Sequence, residues 1–178
     1  ADMTCHLLAF SGSLRAVSSN RALLEATVAL APAGVEIVIY ESIGALPHFN
    51  PDIADDAQPQ SVTEFRAALA CADGVIFSTP EYAHGLPGVL KNALDWVVGT
   101  SELVEKPVTL FNASPRSTYA VASLSETLTV MSARLSQTGG LTVQLAGRAM
   151  PEGGYAVDNG IAPLIKAALS RFVADIGS

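Results

Sequence analysis

Basic residues are scarce in this chain of 178 residues. It contains 10 lysines and arginines against 17 aspartates and glutamates, which gives a formal net charge of −7. A protein that binds nucleic acid needs clustered positive charge to neutralise phosphates, and the sequence contains no basic patch of that kind. We therefore expect no nucleic-acid partner.

Cysteine and histidine are rarer still. The two cysteines, Cys5 and Cys71, form no Cys-x-x-Cys pair, and the three histidines, His6, His48 and His84, are widely scattered. Metal sites in proteins need several such ligands at short, regular spacing. The sequence therefore predicts no metal site, and we expect both cysteines to be reduced core residues.

Long hydrophobic runs are absent as well, although hydrophobic residues make up 49% of the chain and the mean hydropathy is +0.37. No run approaches the ~20 residues of a membrane span and no signal-peptide pattern is present, so we expect a cytoplasmic protein with no membrane partner. The length favours one domain, residues 3–178, with Ala1 and Asp2 as an added remnant. The apolar excess favours a parallel sheet covered on both faces, and burial between subunits of an oligomer is a second explanation for it.

Predicted strands and helices alternate five times along the chain. Apolar or β-branched runs predict strands over residues 5–10, 35–40, 75–78, 107–113 and 141–145. Helical spacing predicts helices over residues 20–31, 62–71, 87–98, 117–137 and 161–176, the second of them with a capping box of Ser61 and Glu64. This alternation favours an α/β fold with a five-stranded parallel sheet in the order 2-1-3-4-5 and helices on both faces.

The loops after the first and third strands are the expected ligand site, because the winding of this sheet order reverses between those strands. Residues 10–20, Phe-Ser-Gly-Ser-Leu-Arg-Ala-Val-Ser-Ser-Asn, contain neither a Walker A loop nor a Gly-x-Gly-x-x-Gly fingerprint. Free N–H groups at a helix start, with serine hydroxyls, Arg15 and Arg21 beside them, predict a site for a single phosphate such as that of a mononucleotide. The alternative is helix capping, which needs only one Ser or Asn.

The loop after the third strand, residues 79–88, has two prolines and two glycines around Glu81, Tyr82 and His84. Its rigid backbone suits the edge of a planar heterocycle, with Tyr82 over a ring face. The alternative is a packed turn with Tyr82 as a lid over the core. Residues 41–59 show no regular period, and a connection of this length predicts a functional lid or a partner surface.

Two motifs occur together in this chain. The first is Ser11-Gly12-Ser13-Leu14-Arg15 with Ser18 and Asn20, and the second is Pro80-Glu81-Tyr82 with residues 86–96, Leu-Pro-Gly-Val-Leu-Lys-Asn-Ala-Leu-Asp-Trp. Together they resemble the NADPH-dependent FMN reductase family, which includes chromate, quinone and azo-dye reductases. The resemblance implies a flavodoxin-like three-layer sandwich, an FMN cofactor, NADPH or NADH as co-substrate, and a homodimer or homotetramer that packs through the third helix.

The resemblance also implies roles for individual residues. The FMN phosphate would be held by Ser11, Ser13, Arg15, Ser18 and Asn20. The ring and the ribityl chain would be lined, mostly through backbone groups, by Pro80, Glu81, Tyr82 and Ala83, with Ser114 at the start of a third flavin loop. No residue is assigned as catalytic, and the third helix supplies residues that we interpret as interface or structural, namely Lys91, Asp95 and Trp96.

The chain departs from the family's pattern at two places. The family commonly has Asn where this chain has Ala83, so we expect one side-chain contact near the flavin to be missing. Residues 114–119, Ser-Pro-Arg-Ser-Thr-Tyr, contain less glycine than the family's third loop, which leaves substrate and cofactor preference open. Arg116 and Tyr119 lie in this loop; Arg116 would bind the nicotinamide cofactor's phosphate or be a surface arginine. His84 would contact substrate or be an exposed loop residue.

The function that the resemblance implies is an FMN-dependent NAD(P)H oxidoreductase. Hydride would pass from NAD(P)H through bound FMN to a quinone, azo compound, metal oxyanion or flavin by ping-pong exchange. In this hypothesis the flavin itself accepts and passes on the hydride, which accounts for the lack of a catalytic triad or paired carboxylates in the sequence. The alternatives are a flavodoxin-type electron carrier and a flavin-binding module without catalytic activity.

Overall fold

The computed structural model describes residues 4–178, so Met3 and the two residues before it lie outside the described part of the chain. The strands are β1 (Cys5–Ser11), β2 (Val35–Ile39), β3 (Gly74–Ser78), β4 (Pro107–Asn112), β5 (Arg134–Leu135) and β6 (Leu141–Thr142). The helices are α1 (Ser19–Ala29), α2 (Gln60–Cys71), α3 (Gly88–Asp95), α4 (Thr118–Val130) and α5 (Ala162–Ile176). Short 3₁₀ helices lie at Glu41–Ala45, Asp55–Ala57 and Tyr155–Val157.

The sheet is parallel and its strand order is β2-β1-β3-β4-β5, which confirms the predicted flavodoxin-like arrangement. β1 lies inside the sheet, where Leu8 pairs with Val38 of β2 on one side and with Val75 of β3 on the other. Every residue of β3 is buried. A strand buried on both faces is typical of a parallel sheet that lies between two helical layers.

The far edge of the sheet differs from the prediction of one strand over residues 141–145. β5 pairs with the first two residues of β4, and β6 pairs with the last two, so two short strands share the fifth position. The two strands are separate because the chain between them leaves the sheet at Ser136 and returns at Leu141.

The predicted helix over residues 117–137 is wrong at its C-terminal end. α4 ends at Val130, and two residues later Ser132 has a left-handed φ of 60° that a continuing helix does not allow. The Ala133 N–H then bonds back to the Leu128 carbonyl oxygen at 3.0 Å, which closes the last turn. Leu135, whose spacing continued the helical pattern, lies in β5 instead.

The predicted capping box of α2 is also wrong. The helix begins at Gln60 after Pro59, so Ser61 lies inside the first turn and no side chain caps it. Glu64 instead accepts a hydrogen bond from Gln60 Nε2 at 2.7 Å. α3 is shorter than predicted, because it begins at Gly88 and ends at Asp95.

Each face of the sheet has its own hydrophobic core. On one face, α2, α3 and α4 pack against strand residues that include Leu8, Phe10 and Phe77. On the other face, α1 and α5 pack against the residues that alternate with them, such as Ala9 and Ile76. Among the helices of residues 4–178, none has the length and apolar character needed to cross a membrane.

Residues 41–59, predicted to be a lid or a partner surface, are hydrogen-bonded to α3 and to Trp96 directly after it. The Asn92 Nδ2 and the Trp96 Nε1 both donate to the carbonyl oxygen of Pro47, at 2.9 and 2.8 Å. Asn92 Oδ1 also accepts the N–H of Phe49 at 2.8 Å. Trp96 is only 3% exposed, so its role within the chain is structural.

Candidate functional site

The loops after β1 and β3 are joined to each other at Ser78. The Gly12 N–H donates to the Ser78 carbonyl oxygen at 2.8 Å, and the Ser78 hydroxyl donates to Asn20 Oδ1 at 3.0 Å. A Cβ on Gly12 would lie 2.2 Å from Thr79 Oγ1, so only glycine permits this close approach. The structure therefore brings the first loop, the start of α1 and the second loop to one edge of the sheet, where the sequence predicts the ligand site.

Serine side chains shape the turn that follows β1. Ser11 is buried, and its hydroxyl donates to the Ser13 carbonyl oxygen at 3.3 Å while it accepts the Ser13 N–H at 3.4 Å. The Ser13 hydroxyl accepts the Arg15 N–H at 3.2 Å. Ser11 therefore has a mainly structural part in the turn, whereas Ser13 and Arg15 lie at its accessible surface.

Ser18 and Asn20 position the start of α1. Ser18 is the N-cap residue, and its hydroxyl oxygen accepts the Arg21 N–H at 3.4 Å, so the capping alternative from the sequence is correct for this residue. A hydroxyl that accepts a hydrogen bond keeps its own proton to donate, so capping leaves Ser18 able to bind an anion. Asn20 is 7% exposed, and its Nδ2 donates to no residue within 4–178.

Arg21 is held by two carboxylates, which the sequence reading did not anticipate. Its Nη1 and Nη2 donate to the two carboxylate oxygens of Glu41 at 2.6 Å each, and its Nε donates to Glu25 at 2.8 Å. These bonds, above all those that Arg21 donates to Glu41, raise the pKa of the Arg21 guanidinium. The expected contribution of Arg21 to phosphate binding is therefore offset by Glu25 and Glu41, whereas the Arg15 guanidinium forms no ion pair within the described residues.

Two cavities flank the first loop. One of about 360 Å³ lies towards β2, where Ser13, Arg15 and Tyr40 are among its lining residues. The other, of about 210 Å³, lies towards the chain that follows β6, and Ser18 and Arg148 are among its lining residues. The sequence reading missed Arg148, because nothing in the spacing of its neighbours indicates that this segment returns to the first loop.

The second loop forms a tight hairpin at its tip. Tyr82 and Gly85 exchange backbone hydrogen bonds at 3.0 and 3.1 Å, and the two residues between them, Ala83 and His84, have positive φ values of 50° and 60°. This is the geometry of a type I′ turn, which strongly prefers Asn-Gly. Tyr82 is 55% exposed, so it is not a lid over the core.

The second loop is also attached to α4. The Glu81 carboxylate accepts the Ala120 N–H at 2.9 Å, in the first turn of that helix. The rings of His84 and Tyr119 are stacked, with centroids 4.1 Å apart and an angle of 15° between their planes. His84 is therefore exposed but held in place, and Glu81 has a helix-capping role that the sequence reading missed.

The third loop approaches the second loop through the start of α4. The Ser114 N–H donates to Asn112 Oδ1 at 3.1 Å, and the Ser114 hydroxyl accepts the Arg116 N–H at 3.3 Å. Ser114 is partly buried and Arg116 is exposed. Within residues 4–178, the structure thus gathers the predicted site residues into two groups, one around the first loop and one made by the second and third loops.

Comparisons with known proteins agree with this architecture. The family model for NADPH-dependent FMN reductase matches residues 5–147. An NAD(P)H-dependent FMN reductase of Pseudomonas aeruginosa is 38% identical over 110 residues, which are 61% of this chain and 59% of that protein. A quinone reductase of Pseudomonas putida is 41% identical over 107 residues, which are 58% of this chain and 57% of that protein. The matches thus span less than two thirds of each relative's length.

A solved structure is similar over nearly the whole chain. It is the flavoenzyme NAD(P)H:(acceptor) oxidoreductase FerB of Paracoccus denitrificans, with a TM-score of 0.86 and 29% identity. The similarity covers 98% of this chain and 98% of that protein. It therefore includes the segment after residue 147, where the family model ends.

Proposed function

This chain belongs to the NADPH-dependent FMN reductase family, and from that premise we propose that it is an FMN-dependent NAD(P)H oxidoreductase that reduces a quinone, azo compound, metal oxyanion or flavin by ping-pong exchange. The observation that carries the proposal is the junction of the first and second loops at Ser78, at the sheet edge where this fold binds its ligand. The similar proteins named FMN reductase and quinone reductase support the choice of cofactor and of acceptor class.

The residues of the first loop fit the phosphate end of FMN. Ser13 and Ser18 are partly exposed residues, and Arg15 is an exposed residue without an ion-pair partner in the described part of the chain. Hydroxyl, backbone N–H and guanidinium donors are the groups that bind a phosphate at the start of a helix. We propose that these three side chains contact the phosphate, while Ser11 and Asn20 hold the loop in shape.

The second and third loops would line the ring and the ribityl chain. Pro80, Tyr82 and Ala83 would contribute mainly backbone groups, with Glu81 fixing their position through α4, and Ser114 would begin the opposite wall. Bound FMN supplies the two-electron exchange with the nicotinamide cofactor and with the acceptor. The residues of this chain then need only bind and orient the reactants, and we assign none of them to proton transfer.

We further propose that residues 3–178 form a single flavodoxin-like FMN-binding domain, that this domain is cytoplasmic, and that it assembles as a homodimer or homotetramer through the region of α3. Val98 and Val104, which follow α3, are 55% and 48% exposed and are the candidate contact residues. Contiguous exposed apolar surface is typical of subunit interfaces. Size-exclusion chromatography with light scattering should then give two or four times the monomer mass of 18.4 kDa.

An anaerobic stopped-flow titration tests the proposed function. The FMN-reconstituted protein is mixed with NADPH or NADH, and the visible spectrum of the flavin is followed, with protein-free FMN as control. We expect rapid loss of the oxidised flavin absorbance that is faster than in the control, and its recovery when a quinone is added. A protein that binds FMN but is reduced by neither nucleotide would favour the electron carrier or the non-catalytic module, and a protein that binds no FMN would exclude all three.

A further inference from the structure

Arg148 lines a cavity beside the first loop. The cavity has a volume of about 210 Å³ and lies between residues 16–19 and the chain after β6. Its lining includes Ser18 and Ser19 at the start of α1, together with Arg148, Met150 and Tyr155. Arg148 thus lines the same small cavity as the serine that we assign to the phosphate.

The position of the Arg148 guanidinium is fixed by Asp158. Arg148 Nη2 donates to Asp158 Oδ2 at 2.7 Å, and the Asp158 side chain is only 10% exposed. The other oxygen of Asp158 accepts the N–H groups of Gly160 and Ile161 at 2.9 and 3.0 Å, so its charge is shared with the start of α5. The buried Tyr155 donates its hydroxyl to the Arg148 carbonyl oxygen at 3.4 Å, which holds the backbone as well.

The Arg148 guanidinium retains donors that the protein does not use. Within the described residues, its Nε and Nη1 make no hydrogen bond, and its side chain is 46% exposed. Arg21, which also lines this cavity, is engaged by Glu25 and Glu41, and that group of three carries a net charge of −1. A phosphate dianion beside it needs cations other than Arg21, and Arg15 alone supplies only one positive charge.

We propose that Arg148 binds the phosphate of FMN, as a second guanidinium that complements Arg15 from the opposite side of the first loop. This inference rests on the proposed function, because it assumes that FMN is the ligand. Asp158 acts as a positioning residue, since it holds Nη2 and leaves the Nε and Nη1 donors without a protein acceptor in the described residues, so that either can donate to a phosphate oxygen. The purely structural alternative is that Arg148 only fastens residues 148–158 to one another.

The two accounts differ in their effect on riboflavin, which is FMN without its phosphate. We would measure Kd for FMN and for riboflavin by quenching of flavin fluorescence, with wild type, Arg148→Met and Arg148→Lys. Lys166→Met is the matched control, because Lys166 is exposed on α5 and its loss changes the net charge equally. We expect Arg148→Met to raise Kd for FMN by about tenfold, the usual effect of losing hydrogen bonds to a charged group, with riboflavin unaffected.

Arg148→Lys should restore part of the FMN affinity, and Lys166→Met should bind both flavins like wild type. Unchanged FMN affinity in Arg148→Met would overturn the inference. An equal loss for FMN and riboflavin would overturn it too, because only a distorted loop weakens both, and circular dichroism melting of each variant would detect that distortion. If wild type bound neither flavin, the proposed function would fail, an outcome distinct from normal wild-type binding with no effect of Arg148.

Discussion

The Glu81 carboxylate accepts a hydrogen bond from the backbone N–H of Ala120, with 2.9 Å between Oε2 and N. Ala120 lies in the first turn of α4, where N–H groups have no partner within the helix. No residue next to α4 caps this turn, since Ser117 makes no side-chain capping bond. The second loop therefore supplies the cap, and this bond links the walls that we assign to the flavin ring, beside the stacked rings of His84 and Tyr119.

Replacement of Glu81 by Ala should lower the free energy of unfolding by about 1 kcal/mol, because the Ala120 N–H loses its acceptor. Glu81→Gln is the matched control, since its amide oxygen still accepts this bond and the loss should be smaller. Urea unfolding followed by circular dichroism measures both. Equal stability of Glu81→Ala and wild type would show that the contact contributes nothing to the fold.

Ala83 occupies a backbone conformation that suits glycine or asparagine. Its φ of 50° is in the left-handed region, which costs an alanine roughly 1 kcal/mol. Ala83→Gly should therefore raise the free energy of unfolding by about 0.5–1 kcal/mol, and Ala83→Asn should also stabilise the turn. The control is Ala54→Gly, because Ala54 is exposed with a φ of −65° and gains nothing from glycine. Thermal melts that rank Ala83→Gly below wild type would contradict the assigned turn.

The Asn92 side chain holds residues 47–49 through two hydrogen bonds. Asn92→Ala removes both and leaves the Phe49 N–H partly buried without an acceptor, so we expect a loss of about 2 kcal/mol. Asn92→Asp still accepts the Phe49 N–H but cannot donate to Pro47, and its loss should be intermediate. Urea unfolding curves give the order. If Asn92→Asp proved as damaging as Asn92→Ala, the bond to Pro47 rather than that to Phe49 would carry the effect.

The free energy of unfolding should fall in acid, partly because Glu41 loses its charge and with it the ion pair to Arg21. Its hydrogen bonds from Arg21 lower the pKa of the Glu41 carboxyl in the folded protein, so the stabilisation is present above the unfolded pKa of about 4.3 and is lost as pH falls through the lowered value. Glu41→Gln should therefore be less stable than wild type at about pH 6, and the difference should shrink progressively as the pH falls below about 4. Because the Glu41 side chain is 63% exposed, we expect less than about 1 kcal/mol. A difference that did not change with pH would rule out this origin.

The order of the sheet could be predicted because each central strand is an unbroken apolar run followed by a helical pattern. Residues 74–78 are an example: all five are buried, so apolar residues need not alternate with polar ones along this strand. The far edge could not be predicted in the same way. Leu135 continues the helical spacing of α4, so the sequence places it in the helix. The chain instead turns at Ser132, which has a left-handed conformation, and Leu135 lies in β5. Glycine usually marks such a helix end, and the sequence has serine there.

The donors of the candidate site could be predicted from residue type, but their partners could not. Arg21 and Glu25 are four residues apart on one helix, so that ion pair is visible in the sequence. Glu41 lies 20 residues from Arg21 and reaches it only because β2 runs beside β1. The bond between Glu81 and Ala120 and the position of Arg148 in the lining of the first-loop cavity likewise depend on how distant segments pack.

Ser18 has an observed capping role and a proposed phosphate-binding role, and one pair of substitutions separates them. Its hydroxyl oxygen caps α1 by accepting the Arg21 N–H, and we propose that its proton is donated to the FMN phosphate. Ser18→Ala loses both functions, so it should be about 1 kcal/mol less stable and bind FMN more weakly. Ser18→Asp keeps the cap, since Asp is as good an N-cap residue as Ser, but its carboxylate repels the phosphate. We therefore expect Ser18→Asp to melt like wild type and to bind FMN at least tenfold more weakly, while riboflavin binding changes little. A stable Ser18→Asp protein with normal FMN affinity would place the phosphate away from the start of α1.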